Sequence, residues 1–146
     1  MPDNLLESLE YIDGEWEGEI EFPILGKEIL LVIDANELNG PSSNQQEKLN
    51  WMHDNIATLM VSVEESLYQY YQDQLKNYTK KLGKKIHTLM PKIKSSQEVW
   101  QYVFEPGIYI APDEDNEIHL EYECSFDEEN GLRVIIKDGE ISKVCL

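Results

Sequence analysis

Residues 15–22 alternate strictly between two kinds of side chain. Trp16, Gly18, Ile20 and Phe22 point one way, and Glu15, Glu17, Glu19 and Glu21 point the other. A period of two is the mark of a half-buried strand. Pro23 to Gly26 supply a turn. Lys27 to Ile33 are more continuously apolar, which predicts a second strand paired back on the first and more deeply buried. A loop over 34–43 follows, broken by Asn39-Gly40-Pro41.

The period then changes. Leu49, Met52, Ile56, Met60, Val63, Leu67, Tyr71, Leu75, Tyr78 and Leu82 recur every three or four residues, predicting a helix over 44–82 with Ser43 as its cap. Unbroken, it would be about 58 Å long at about 1.5 Å per residue. A compact domain of this size has a radius of gyration of about 15 Å. A bend or break is therefore expected, and His53-Asp54-Asn55, all weak helix formers, are the place for it. Gly83, set among Lys80 to Lys85, is a stop signal.

Ser95 and Glu98 have the spacing of a capping box. They predict a short helix through Phe104, ended by Pro106-Gly107. Ile108-Tyr109-Ile110 read as a short strand, and the alternation of Ile118, Leu120, Tyr122, Cys124 and Phe126 as another half-buried one. Leu132 to Lys137 are a buried strand, Asp138-Gly139 a two-residue hairpin turn, and Glu140 to Cys145 the last strand. Strands grouped at both ends around a helical middle predict an α+β fold. The expected architecture is an antiparallel sheet of about six strands, an N-terminal hairpin plus a C-terminal meander, with a helical layer on one face. There is no βαβ rhythm, and residues 1–146 form a single domain.

Charge sharpens this picture. The chain carries 29 acidic and 12 basic residues, a formal net charge of −17. That balance argues against nucleic-acid binding, which needs a dominant basic footprint. The two ends that predict strands are strongly acidic, while the helical middle is slightly basic. Lys76, Lys80, Lys81, Lys84, Lys85, Lys92 and Lys94 cluster with no acid among residues 74–97. They are expected to complement the acidic layer, within the molecule or across a dimer. No apolar stretch is long enough to span a membrane. The polar segment Met1-Pro2-Asp3-Asn4 does not suit a secretory signal, which makes the cytoplasm the expected location. Cys124 and Cys145 are expected to be buried free thiols.

Chemistry-bearing motifs are few. His53, His87 and His119 have no partners at zinc-ligand spacing, and no GxSxG, HExxH, P-loop or GxGxxG motif occurs. Asp113 to Glu117 lack the glycine and final glutamate of a calcium loop and read as a turn, as do Asp127 to Gly131. No catalytic, cofactor-binding or metal-binding residue is assigned. The most unusual feature is the glutamate row, with side chains about 6.8 Å apart along one strand face. Glu121 and Glu123 extend it if their strand lies nearby.

Trp16-Glu17-Gly18, the Pro-x-x-Gly turn at Pro23 to Gly26, the long helix carrying Tyr70-Tyr71, and Phe126-Asp127-x-Glu129-x-Gly131-Leu132-x-Val134 before Asp138-Gly139 together resemble an uncharacterised family of small acidic bacterial proteins. In that family the C-terminal segment reads Trp-Asp-x-Glu-His-Gly-Leu-Gly-Val. Here Phe126, Asn130 and Arg133 replace its tryptophan, histidine and second glycine. The histidine is the family's best catalytic candidate, so its replacement weakens an enzymatic reading. Some relatives resemble proteins found beside polymorphic toxin genes, which implies an immunity role. The expected function is thus a non-enzymatic interaction protein, without cofactor, that occludes a basic toxin-like protein. Glu15, Glu17, Glu19, Glu21, Glu121 and Glu123 are the expected contacts. The rival is an enzyme or small-ligand binder with a site between helix and sheet, lined by Tyr68, Tyr71, Trp100 and Glu129. A third reading is a divalent-cation binder built on the acidic loops.

Overall fold

The computed structural model describes residues 5–146, and Met1 to Asn4 lie outside the described residues. Seven strands form one sheet in sequential order. They are β1 (Glu10–Ile12), β2 (Glu15–Phe22), β3 (Gly26–Ile33), β4 (Val103–Ile110), β5 (Glu117–Cys124), β6 (Leu132–Lys137) and β7 (Glu140–Cys145). One long helix, α1 (Ser43–Leu82), and short 3-10 turns at Gly83–Thr88 and Ser96–Gln101 connect β3 to β4. The class is α+β, with seven strands rather than about six. The additional strand is β1, which turns into β2 through Asp13-Gly14; both residues have positive φ, 49° and 95°. Asp138-Gly139 makes the same kind of turn between β6 and β7, at 53° and 79°.

The sheet is not wholly antiparallel. β3 and β4 run parallel, Leu30 opposite Gly107 and Ile33 opposite Ile110. Parallel neighbours need a long crossover, and α1 provides it. The N-terminal hairpin and C-terminal meander are therefore joined by one β-α-β unit, which leaves no repeating rhythm in the sequence.

The helix is a single element of 40 residues, with no break at His53-Asp54-Asn55. Weak local propensity yields there to burial on either side: Leu49, Met52, Ile56 and Leu59 stay in the core without interruption. His53 also packs edge-on against Phe22, with ring centroids 5.6 Å apart. The conflict between helix length and domain size is resolved by overhang. Leu75 is the last buried residue of α1, and Lys80 to Lys85 are exposed. The chain then folds back, burying Ile86 and Met90. Of the expected stripe, Leu82 is exposed and Met60 and Tyr78 half-buried, while Leu59 takes a core position.

The helix begins one residue earlier than expected. Ser42, not Ser43, is the cap: its hydroxyl accepts from the Gln45 N–H at 3.0 Å. Gln45 Oε1 in return accepts from the Ser42 N–H at 2.9 Å. Gln45 is itself buried, and its Nε2 donates to the carbonyls of Asp34 at 2.8 Å and Ala111 at 3.0 Å. One amide thereby ties the start of α1 to the ends of β3 and β4.

The second predicted helix is shorter than its sequence reading. Glu98 accepts from the Lys94 and Ser95 backbone N–H groups, as the box requires, but the turn ends at Gln101. Val103 and Phe104 are already extended, and Pro106-Gly107 lie inside β4 at a bulge, where Glu105 has φ 55°. β5 ends at Cys124 rather than Phe126. Gly131, at φ 67°, closes the β5–β6 turn where an added Cβ would meet the Tyr122 carbonyl oxygen at 2.6 Å.

Candidate functional site

Alternate residues of the sheet give it two unlike faces. Toward α1 it presents Ile20, Phe22, Ile29, Leu31, Ile33, Ile108, Ile110, Ile118, Leu120, Val134 and Ile136, all buried. The other face carries no helix among the described residues. Register places Glu17, Val32, Tyr109, His119 and Ile135 side by side across five strands of it. The next row holds Glu19, Leu30, Gly107, Glu121 and Arg133. Acidic side chains thus border an apolar and aromatic stripe.

A depression of about 340 Å³ lies on this face, lined among others by Glu15, Val32, Tyr109, Glu117, His119, Glu121 and Arg133. The Tyr109 hydroxyl donates to Asp34 Oδ2 at 2.7 Å. His119 is buried, with Nε2 3.0 Å from Glu117 Oε1 and its ring centroid 5.1 Å from that of Tyr109. Arg133 stands 3.7 Å from Glu121. It is the one cation of the described residues paired here, against at least five carboxylates.

The crowding has an electrostatic signature. The Glu15 carboxyl is pushed above the usual carboxylate range, first by partial burial and then by Asp34, Glu17 and Glu121. Tyr109 is pushed well above the usual phenol range by burial, then by its bond to Asp34. Like charges also meet directly across strands, Glu10 opposite Glu17. A carboxyl whose pKa is raised in the folded state favours folding below the ordinary range and loses that contribution as pH rises through the folded value. Glu15→Gln is therefore expected to raise the melting temperature at neutral pH by about one degree, solvent screening keeping the effect small. The gain should vanish as pH falls below the ordinary value of 4.5. Melting curves of both proteins across this range check it.

Of the six sequence candidates, Glu15 and Glu121 line the depression, while Glu17 stands opposite Val32 at its border and Glu19 opposite Leu30 in the next row. Glu21 and Glu123 share the face but lie toward the bulged strand ends. Asp34, Tyr109, Glu117, His119 and Arg133 were missed. Their signal was weak: Glu117, His119 and Glu121 do alternate on β5, but Asp34 and Tyr109 reach the site only through the parallel β3–β4 pairing.

The residues of the rival site disperse. Tyr71 is fully buried, packed between Tyr102 and Phe126, with its hydroxyl donating to the Pro91 carbonyl at 2.6 Å. Tyr68 and Tyr70 are half-buried against the core, and burial pushes Tyr70 up to about 12. Glu129 is exposed in the β5–β6 turn. Only Trp100 lines a cleft between helix and sheet, of about 410 Å³.

The other sequence candidates take structural places. Asp113, in the β4–β5 turn, accepts from Ser42 Oγ and Asn44 Nδ2. Asn130 is tied back to Asp127. Both cysteines are free, Cys124 buried and Cys145 half-buried. Among the described residues, no group of three or more His, Cys, Asp or Glu is arranged to hold a metal ion. None of the clustered lysines forms an ion pair with the acidic layer among the described residues. Among the described residues, no helix is long and apolar enough to cross a membrane.

No curated protein and no solved structure matches this chain. A family model does, across almost all of the sheet and helix described above. Over residues 5–145 the chain matches the domain of unknown function DUF6985, and it belongs to that family.

Proposed function

We propose that this protein is a non-enzymatic protein-binding module whose uncovered sheet face docks a basic protein. The observation that carries the reading is that face itself: an apolar and aromatic stripe of Leu30, Val32, Tyr109 and Ile135, bordered by Glu15, Glu17, Glu19 and Glu121. The acidic border steers a cationic partner, raising its encounter rate. The stripe supplies the desolvated centre that holds it. Glu21 and Glu123 lengthen the border. Binding alone blocks the partner, so no reaction is needed. Some members of the family that the sequence resembles look like proteins found beside toxin genes, and a basic toxin domain is therefore the first partner class to test.

The experiment is affinity capture on the immobilised protein from a lysate of the source cells, eluted by a salt gradient. A basic protein retained at low salt and released at high salt is the expected result. If that protein is a toxin, co-expression with this chain relieves its toxicity. Retention of acidic or neutral proteins alone, insensitive to salt, would overturn the reading.

A further inference from the structure

The cleft on the helix side is a separate site with its own chemistry. It opens between the middle of α1, the β2–β3 turn, the 3-10 turn at Ser96–Gln101 and the bulged start of β4. Its walls are apolar: Ile24, Leu25, Met60, Phe104 and Pro106. Ile24 and Phe104 remain 63% and 41% exposed, although both are large hydrophobics. Two polar groups interrupt this lining. The Glu64 carboxylate is held in place by two neutral donors, Trp100 Nε1 at 2.8 Å to one oxygen and Ser96 Oγ at 2.9 Å to the other. It has no cationic partner among the described residues. The Tyr122 hydroxyl is buried and has no hydrogen-bond partner among the described residues, and its ring lies 5.7 Å from that of Trp100.

A buried hydroxyl left unpaired is costly, so an orphan donor and acceptor beside a cavity calls for a partner. A carboxylate fixed by two donors still has free lone pairs and an uncompensated charge. An anion is repelled there, whereas an ammonium satisfies both the charge and the geometry. The volume, about 410 Å³, lies within the roughly 300–1,000 Å³ of small-molecule sites. We propose that this cleft binds a small organic amine, its ammonium on the Glu64 carboxylate and its apolar body between Leu25, Met60 and Trp100. The Tyr122 hydroxyl accepts a further N–H of the ligand, and the indole of Trp100 offers a cation–π surface. The site is distinct from the acidic sheet face and does not depend on it.

The test is a titration of the full chain with 2-phenylethylamine and with 2-phenylethanol, which share a body and differ in the head group. The Trp100 indole N–H resonance reports the cleft. The amine is expected to shift it saturably, and the alcohol to bind at least about tenfold more weakly. Glu64→Gln should bring the amine down to the affinity of the alcohol while leaving the alcohol unchanged, an effect that mere loosening of the fold does not produce. Tyr122→Phe, which keeps the ring, should weaken the amine about threefold. If either variant fails to fold, the comparison of amine and alcohol on the unmodified chain still decides. Equal affinities, or no saturable shift, would overturn the proposal. A lysine-bearing peptide that binds the cleft more tightly than any free amine would overturn the small-ligand assignment. No protein partner enters these experiments, so their failure leaves the sheet-face reading standing.

Discussion

A chain carrying Glu15→Lys, Glu17→Lys, Glu19→Lys and Glu21→Lys is expected to associate with its basic partner about 10- to 100-fold more slowly at low salt. It should also lose most of the salt dependence of that rate. Each replacement changes the charge by two, so the net charge moves from −17 to −9. The fold should survive. Glu19 and Glu21 are exposed, and none of the four accepts a hydrogen bond or ion pair among the described residues. A lysine at position 17 even relieves the like-charge pair with Glu10. The control is a chain with Glu37, Glu47, Glu65 and Glu128 changed to lysine. These acids are exposed, lie outside the sheet, and give the same net charge when replaced. Its association rate should stay within about threefold of wild type, since rim charge acts locally at moderate salt. Rates from surface plasmon resonance at several salt concentrations separate the two chains. If both slow association equally, overall charge and not this face governs the encounter.

The largest effect on stability is expected at Gln45, which the acidic composition hides. Gln45→Leu keeps the burial but removes an acceptor for the Ser42 N–H and two donors, to the carbonyls of Asp34 and Ala111. Backbone groups left unpaired in or near the core cost roughly 1–3 kcal/mol each, partly recovered by relaxation. The net loss should be about 3 kcal/mol, or a fall of about 10 °C in melting temperature. Gln45→Glu should lose more, because its carboxylate faces two carbonyl oxygens that it cannot satisfy. The consequence reaches the candidate site, since Asp34 also accepts the Tyr109 hydroxyl on the open face. Urea denaturation of the three proteins checks this, and a loss below about 1 kcal/mol for Gln45→Leu would contradict the clamp.

How much of this was legible depended on whether the information was local. β2, β3, β6 and β7 follow from alternation, apolar runs and the Asp138-Gly139 turn, all of which act over a few residues. β1 was equally legible in principle, since Asp13-Gly14 is the same dipeptide, but its three-residue strand gives too little alternation to register. The break expected at His53-Asp54-Asn55 failed because local propensity was weighed against length. The overhang of Lys80 to Lys85 beyond the sheet removed that constraint, while Phe22 packed on His53 supported the helix. The Pro106-Gly107 pair reads as a helix stop. It is in fact a bulge within β4, where neighbouring strands override a local signal.

The site was half legible for a related reason. Glu15 to Glu21 share a face because of the period of two, which any strand imposes. Their meeting with Glu121, Tyr109 and Asp34 depends on strand order, and order depends on the parallel β3–β4 contact made across a 69-residue connection from Asp34 to Tyr102. No local pattern encodes that contact. Glu64 shows the converse. Its position on α1 is legible, but adjacent acids are too common in this chain to single it out, and only Trp100 and Ser96 folding onto it give it a role.

The most direct test of the acidic-face account is carboxylate labelling with a carbodiimide and an amine, followed by mass spectrometry, on the free chain and on its complex with the captured basic protein. Labelling of Glu15, Glu17, Glu19, Glu21, Glu121 and Glu123 is expected to fall in the complex, while Glu37, Glu47, Glu65 and Glu128 react as before. Protection confined to the second group, with the sheet face still reactive, would contradict it.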